Sequence, residues 1–476
     1  MKIKNPSFVL IFVVTSILVF IVCVNQPIDP DMWWHLRNGQ ETLSQGSIST
    51  VDLFSFTRFN QPWTNAFWLS DLFIYAIYQI GGFWLLLTIF AALGTLTYMI
   101  IFLFSPGPFL LRAFLVVLAA ISTSPEWTIR PQVTSFLILS IVNIYLIQNS
   151  DLNWKKFIWL PLLFILWANI HGGYIWGILL LFAVIIGRFL DHYLFKNITV
   201  NKSELAKFSL FSFLSFFFVL FNPNGLAILK LPFKTIDVSI ASIMEWSSPN
   251  FHEMIMLPFL MVIILFIIVL SIAEKRLSSD QLIKALGFLI LAFISQRNIP
   301  LAVIVILPIL IEKFSEFIST YKNGKSIKSE IKVPAKVSAI INSIIVLFLV
   351  LACGARIYAQ SSASEIQSVY PVQAVEWILE NKPKGNIFNS YNWGGFLIFN
   401  LPEYKVFIDG RADLYGNELI ATWWNIVNDR QNSLESLDKY NINLILLEPD
   451  RPIVERLIEQ NWTLSYQDGV SVILTR

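Results

Sequence analysis

Long apolar runs recur along the first three-quarters of this chain, and they leave few folds open. A helix crosses the roughly 30 Å hydrocarbon core of a bilayer with about 20 apolar residues. Lipid offers no partners for backbone N–H and C=O groups, so such runs must be helices of a membrane bundle. They fall near residues 8–24, 83–104, 112–123, 132–148, 157–170, 174–190, 208–221, 254–272, 281–295, 299–313 and 336–353. That is eleven spans, several of them short. The stretch Phe67 to Gln79 is aromatic, carries Asp71 and ends at Gly81-Gly82. It reads as an interfacial helix, with a crossing segment as the alternative.

Composition agrees with a membrane protein. The chain is 55% hydrophobic and only 14% charged, with 40 Phe and 16 Trp, and its mean hydropathy is +0.64. Many tryptophans fall at span ends, as in an aromatic belt at headgroup level. The net charge of +2 and the lack of a basic face argue against nucleic acid. Cys23 and Cys353 both lie in apolar segments and read as packing residues. The first run lacks a small-x-small cleavage site, so it reads as an uncleaved first helix.

Lysine and arginine set the orientation. Lys2, Lys4, Arg112, Lys155, Lys156, Arg188, Lys196, Lys202, Lys207, Lys275, Arg276 and Lys284 fall in alternate loops, as does the basic stretch Lys313 to Lys336. By the positive-inside rule those loops are cytoplasmic. This places the N-terminus inside and the C-terminus outside a plasma or inner membrane. Residues 1–355 then form the transmembrane domain, with a first external loop at 25–66. Residues 365–476 form a soluble extracytoplasmic α/β domain. Helices are expected at Val372–Glu380, Glu418–Asn428 and Pro452–Glu459. Strands are expected at Asn386–Asn389, Lys405–Asp409, Asn443–Leu447, Trp462–Tyr466 and Ser471–Thr475.

The chemically interesting residues all fall on the outer side of this topology. The first loop carries Asp29-Pro-Asp31-Met-Trp-Trp34-His35. Later loops carry Glu126 through Arg130, His171-Gly-Gly, Glu245 to Glu253 and Gln296-Arg297-Asn298. Three of the four histidines are among them: His35, His171 and His252.

Adjacent carboxylates repel unless a cation or proton lies between them. Asp29 and Asp31 therefore suit a general base, or a divalent metal such as Mg or Mn held by Asp29, Asp31 and His35. Asp29 equally suits capping the helix that follows. Arg130 and Arg297 lie close to hydrocarbon and need an anion, either a lipid phosphate or an acidic side chain such as Glu126 or Asp71. His171 sits where Gly172-Gly173 allow a sharp turn; it suits a ligand contact or a satisfied turn histidine. The long loop with Glu245, His252 and Glu253 suits a lid or a solvated surface. In the C-terminal domain, Ser390-Tyr-Asn-Trp393-Gly-Gly-Phe and Asp409-Gly410-Arg411 suit sugar stacking and hydrogen bonding, or a structural turn network.

At these residues the chain resembles the GT-C superfamily of polytopic glycosyltransferases. The acidic motif of the first external loop corresponds to Asp29 and Asp31. The Trp-Trp-His-Leu segment and C-terminal α/β domain are similar to those of uncharacterised bacterial members. The Trp393 segment distantly resembles the Trp-Trp-Asp-Tyr-Gly element of oligosaccharyltransferase catalytic subunits. It has one Trp, and Asn392 where Asp is expected, so acceptor-sequon binding is not implied. The resemblance implies inverting transfer of a sugar from a polyprenyl-phosphate donor to a glycan, lipid or protein acceptor on the outer membrane face. It assigns catalysis to Asp29 and Asp31. Substrate binding falls to Trp34, His35, Glu126, Arg130, His171 and Arg297, and acceptor binding to Trp393, Asp409 and Arg411. The alternatives are a non-catalytic glycan- or lipid-binding assembly protein and a lipid-linked sugar transporter. A transporter calls for mid-membrane ionisable residues and an internal repeat.

Overall fold

The computed structural model describes residues 6–25, 29–147, 154–195, 202–232, 244–273, 276–323, 335–361 and 363–476. Lys2, Lys4, Lys196, Lys234, Lys275 and much of the basic stretch before Lys336 lie outside them. The helices of the first part are α1 (Pro6–Cys23), α2 (Pro30–Gln45), α3 (Trp68–Phe104), α4 (Phe109–Ser122), α5 (Gln132–Ile147), α6 (Trp154–Phe157) and α7 (Leu160–Ile170). They continue with α8 (Tyr174–Tyr193), α9 (Lys202–Phe218), α10 (Leu257–Ile272), α11 (Ser279–Ile294), α12 (Ile299–Asn323) and α13 (Ala335–Gln360). Each of the eleven expected spans falls on one of these helices. Among the described residues, five helices are long and apolar enough to cross a membrane by length and composition.

A helix apolar on all sides belongs inside a bundle. This holds for α12, where every residue from Leu301 to Ile311 is buried and the flanking helices are α4, α5, α10 and α11. The opposite case is α13, none of whose side chains from Val337 to Gln360 is buried. It rests on α1, and Arg356 Nε donates to the Val24 carbonyl at 3.3 Å. Its apolar flank is left uncovered by the rest of the chain, a placement that costs nothing for a helix set in a bilayer.

The 37 residues of α3 would be about 55 Å long if straight, far more than a bilayer core needs. The helix is in fact broken. Gly81 has φ −150° and ψ 18°, and Gly82 has φ 61° and ψ −154°. The Gly82 values are accessible essentially to glycine alone. The part before the break packs on α2, so closely that a Cβ on Gly39 would collide with the Asp71 carbonyl. The break falls where the expected helix from Phe67 to Gln79 ends, and it separates that helix from the longer apolar run near 83–104.

Basic residues collect at the end of the bundle away from Asp29. Arg112 Nη1 donates to the Phe102 and Ser105 carbonyls at the end of α3, at 2.8 and 3.2 Å. Lys284 Nζ donates to Asn143 Oδ1 at 3.3 Å. The Asp191 carboxylate accepts from Ser279 N–H and Oγ–H at the start of α11.

The C-terminal part contains α14 (Ala363–Val369), α15 (Val372–Asn381), α16 (Gly394–Asn400), α17 (Ala412–Val427), α18 (Ser433–Lys439) and α19 (Pro452–Glu459). Its strands are β1 (Asn386–Asn389), β2 (Ile442–Leu447), β3 (Thr463–Gln467) and β4 (Val472–Thr475). The sheet order is β1-β2-β4-β3; β1 and β2 are parallel and the other pairs antiparallel. No strand forms at Lys405–Asp409. The backbone there is held by a side chain: Asn389 Oδ1 accepts from Phe407 N–H at 2.9 Å, and Asn389 Nδ2 donates to the Ile408 carbonyl at 2.8 Å. Val406 instead makes a single parallel bridge to Ser55 of the first loop.

That bridge joins the two parts. Phe56 N–H donates to the Val406 carbonyl and Val406 N–H to the Phe54 carbonyl, both at 3.1 Å. Trp33 of α2 sits edge-on to Phe83, Tyr370 and Phe396, at centroid distances of 5.2, 5.4 and 4.9 Å.

Gly82→Ala puts a side chain where the backbone tolerates almost none, and is expected to cost about 1–3 kcal/mol. Gly287 lies in α11 with open space around it, so Gly287→Ala is expected to be neutral or slightly stabilising. Thermal melting of the two variants in the same detergent checks the contrast; equal Tm values would contradict it.

Candidate functional site

The site is built around the first turn of α2. Asp29 is its N-cap, and its side chain accepts from Asp31 N–H at 2.9 Å. Pro30 occupies the first helical position, where its missing N–H costs nothing. Asp31 follows, and its Oδ1 accepts from Trp34 Nε1–H at 3.1 Å. Capping and function are thus not alternatives here. The cap fixes Asp29 and Asp31 at the positive end of the helix, which favours carboxylates.

The cation between the two carboxylates is Arg130, delivered by the link before α5. Its Nε pairs with Asp29 Oδ2. Its Nη2 lies 3.4 Å from Asp31 Oδ2, and its Nη1 lies 2.8 Å from Glu245 Oε2. Glu245 sits in a one-turn 3₁₀ segment, Met244–Trp246. Its other oxygen meets Arg297 Nη1 at 3.2 Å. Arg297 also donates from Nε and Nη2 to Gln132 Oε1, at 3.2 and 3.1 Å, and lies over the Trp246 ring. Gln132 Nε2 in turn donates to Glu126 Oε2 at 3.1 Å. The chain of contacts runs Asp29/Asp31, Arg130, Glu245, Arg297, Gln132, Glu126.

Burial makes these charges interdependent. Burial alone would raise the Glu245 carboxyl; Arg130 and Arg297 override it and hold the group at about 2. Glu126 goes the other way, to about 7, because burial and the Glu245 charge outweigh Arg297, Arg130 and its Gln132 hydrogen bond. Asp31 is raised by burial and by Asp29 and Glu245, against the pull of Arg130. Arg130 is raised well above its ordinary value, its three carboxylates outweighing burial. Arg130 and Arg297 differ in availability. The Arg130 side chain is 12% exposed and committed to three carboxylates, whereas Arg297 is 31% exposed.

The histidines lie beside this chain. His171 Nδ1 accepts from Gly173 N–H at 2.9 Å and from Ser135 Oγ at 2.8 Å. Trp167 Nε1–H occupies the Ser135 oxygen at 2.7 Å, which leaves the Ser135 hydroxyl to donate. The proton of His171 is therefore on Nε2. Burial, then the Arg297 and His35 charges, press its pKa down to about 3. His35 Nδ1 is bonded to Asp71 Oδ1 at 2.6 Å, and Asn38 Nδ2 donates to the other Asp71 oxygen at 2.5 Å. Both rings flank Phe67, at 5.4 and 5.6 Å. Trp34 lies 3.6 Å from the His35 ring.

Asp29, Asp31, Trp34, His35, Glu126, Arg130, His171 and Arg297 are therefore neighbours. The expected metal set does not fit. Arg130 already neutralises Asp29 and Asp31, and Asp71 holds His35. Among the described residues, no three His, Cys, Asp or Glu side chains converge as ligands. The expected acceptor group departs as well. Trp393, Asp409 and Arg411 are buried and bonded inward. Trp393 Nε1 donates to the Val369 carbonyl at 3.0 Å. Arg411 Nη2 reaches Asp409 Oδ2 at 2.7 Å and Asp52 Oδ1 of the first loop at 2.8 Å. His252 and Glu253 are exposed, and the loop before Met244 lies outside the described residues. Glu245 joins the site as an ion-pair partner and not as a lid residue, Asp71 pairs with His35 and not with an arginine, and nothing in the sequence pointed to Asp52. Asp71 carried a signal: a carboxylate in an apolar helix needs a partner.

No protein-family model and no curated protein matches the sequence. In shape the chain is similar to solved membrane enzymes. Against the oligosaccharyltransferase AglB from Archaeoglobus fulgidus, in complex with an inhibitory peptide and a dolichol-phosphate, the TM-score is 0.62 at 11% identity. That match covers 94% of this chain and 70% of the other. The same archaeal enzyme tethered to an acceptor peptide gives 0.55 at 13% identity, over 93% and 69%. ArnT from Cupriavidus metallidurans bound to undecaprenyl phosphate gives 0.51 at 13% identity, over 99% and 98%. At such identities the likeness is one of fold. The fold is GT-C-like: a mostly helical membrane bundle with a small C-terminal sheet domain.

Glu126 gives a pH signature. Its folded pKa, about 7, lies above its ordinary 4.5, so the folded protein binds its proton more tightly. The resulting stability is complete below about pH 4.5 and is lost as pH rises through 7. Glu126→Gln keeps the neutral form at every pH. It is expected to match wild type near pH 4 and to exceed it at pH 8 by up to about 3 kcal/mol. Melting curves at the two pH values check this; a pH-independent difference would contradict it.

Proposed function

We propose that this protein is a glycosyltransferase that moves a sugar from a polyprenyl-phosphate donor to an acceptor at the extracytoplasmic face of a cell membrane. One observation carries the reading. An acidic helix start, a buried guanidinium and a second, more open guanidinium form one continuous chain at one end of a GT-C-like bundle. Solved structures of that fold hold dolichol-phosphate and undecaprenyl phosphate. The alternation of lysines and arginines assigns the site end to the outside.

The chemistry follows from the charges. Arg130 is occupied by Asp29, Asp31 and Glu245, so its role is to hold the acidic wall. Arg297 is the more exposed guanidinium and receives the donor phosphate. Asp31 is less buried than Asp29, with side-chain exposures of 20% and 3%, and serves as the base. An acceptor hydroxyl oxygen attacks the anomeric carbon while its proton passes to the Asp31 carboxylate. The bond from that carbon to the phosphate oxygen breaks, and the polyprenyl phosphate leaves with the electron pair. Arg297 stabilises the charge that gathers there. A single displacement inverts the anomeric centre. The acceptor is a glycan, a lipid or a protein.

Incubation of the purified protein with radiolabelled polyprenyl-phosphate sugars and membrane extract tests the proposal. Asp31→Asn is expected to lower transfer by at least about 100-fold. Arg297→Gln is expected to raise the KM for the donor and also reduce kcat, since the charge on phosphate grows during transfer. The wild-type rate is expected to rise with pH as the raised Asp31 carboxyl ionises. Equal transfer by wild type and Asp31→Asn removes Asp31 from the chemistry. Donor binding without transfer favours a glycan- or lipid-binding assembly role.

A further inference from the structure

We infer that the turn Asp409-Gly410-Arg411 of the C-terminal domain is a positioning element for the Asp31 carboxylate. The docked C-terminal domain then sets the geometry of the base. The inference rests on the reading of Asp31 as that base. The turn itself touches no substrate in this account; it acts through Asp31.

Gly410 supplies the first observation. Its φ lies outside the left-handed region, so the backbone there does not call for glycine. The space does. A Cβ at Gly410 would land on Asp31 Oδ1, with Trp34 Nε1 close beside it. Asp31 Oδ1 is the oxygen that accepts from Trp34 Nε1–H. The bare glycine backbone is therefore one wall of the carboxylate's seat. Trp34 and Arg130 supply the others.

The second observation is how rigidly that wall is held. Asp409 Oδ1 accepts from Arg411 N–H at 3.0 Å and from Arg411 Nε at 2.8 Å. Asp409 Oδ2 accepts from Arg411 Nη2 at 2.7 Å and from Tyr415 Oη at 2.5 Å. Arg411 Nη2 also pairs with Asp52 Oδ1, and the three charged side chains are at most 1% exposed. Asp52 is itself fixed by Ser55 N–H and Oγ–H, at 3.0 and 2.6 Å. The Arg411 guanidinium lies over the Trp63 and Phe54 rings, at 4.9 and 5.2 Å. A planar fork serving two carboxylates and two ring faces is a use that lysine cannot reproduce.

The third observation lies on the other side of the turn. A Cβ at Gly394 would strike the Ile408 carbonyl, and one at Gly395 would strike the Pro30 carbonyl of α2. The start of α16 is thus wedged between the turn and the first turn of α2. Gly410 and Asp31 are referenced to each other through backbone contact on one side and the Arg411 network on the other.

Gly410→Ala in the full chain tests this directly, since alanine fits the backbone but not the space. The kcat for transfer is expected to fall about 10- to 100-fold, as for a misplacement on the order of 1 Å. The donor KM should stay within about twofold, and the pH profile of kcat should shift. Arg411→Lys is expected to act in the same direction more weakly, and it decides the matter by the same readouts if Gly410→Ala does not fold. A second readout needs no activity: carbodiimide labelling of Asp31, followed by mass spectrometry across pH. A displaced carboxylate labels with an altered rate and pH dependence. A purely structural turn would lower Tm while leaving the labelling and the pH profile of kcat unchanged, and that result overturns the inference. If wild type transfers sugar from no donor, the glycosyltransferase reading fails. The labelling then still decides: altered labelling upholds the positioning of Asp31, and unchanged labelling overturns it.

Discussion

The site depends on one buried guanidinium. Arg130 sits among Asp29, Asp31 and Glu245, largely withdrawn from water. Charges of that kind are costly to desolvate and stable only in the company of one another. Breaking such a group by removing one member typically costs about 3–5 kcal/mol. The pairing ties together three separate pieces of chain: the first turn of α2, the link before α5, and the 3₁₀ turn at Glu245. Arg297, Gln132 and Glu126 extend it to the starts of α12 and α5. Two guanidinium groups face three carboxylates here, while His171 at about 3 stays neutral near neutral pH and Glu126 at about 7 is only about half ionised there. The surplus negative charge lies on the Asp31 side, and the more exposed positive charge lies at Arg297. That separation is what a base and a phosphate holder require.

A second buried charge group does for the domains what Arg130 does for the site. Arg411 binds Asp409 of its own turn and Asp52 of the first loop. The first loop also lends backbone hydrogen bonds to Val406, and α2 inserts Trp33 between the bundle and the C-terminal domain. The C-terminal domain is thereby part of the wall around Asp31. The two guanidinium groups hold the first loop at two places, Arg130 at Asp29 and Asp31 and Arg411 at Asp52.

Much of this architecture was legible in the sequence because lipid is a demanding solvent. A span must be a long apolar helix, so each of the eleven runs could be seen, as could the break at Gly81-Gly82. The alternation of lysines and arginines grouped Asp29, Arg130, His171 and Arg297 at one end, where the structure also has them. What could not be read was the pairing. Arg130 meets Glu245 across 115 residues, and Arg297 meets Gln132 across 165. No local pattern encodes such distances. The misreadings have the same origin. Asp29, Asp31 and His35 resemble a metal set until Arg130 and Asp71 take up their charge. Asp409-Gly410-Arg411 resembles an open binding loop until the first loop, some 350 residues away in sequence, covers it. Lys405–Asp409 has strand-like residues, but Asn389 takes its hydrogen bonds.

The central claim is that the donor phosphate meets Arg297 with its sugar directed toward Asp31. The most direct test is an experimental structure of the purified protein with a bound polyprenyl phosphate, determined by electron cryomicroscopy. The account predicts phosphate density within hydrogen-bonding reach of the Arg297 guanidinium, with Arg130 still paired to Asp29 and Asp31. Phosphate bound at another part of the bundle, with Arg297 still closed on Glu245 and Gln132, would contradict it.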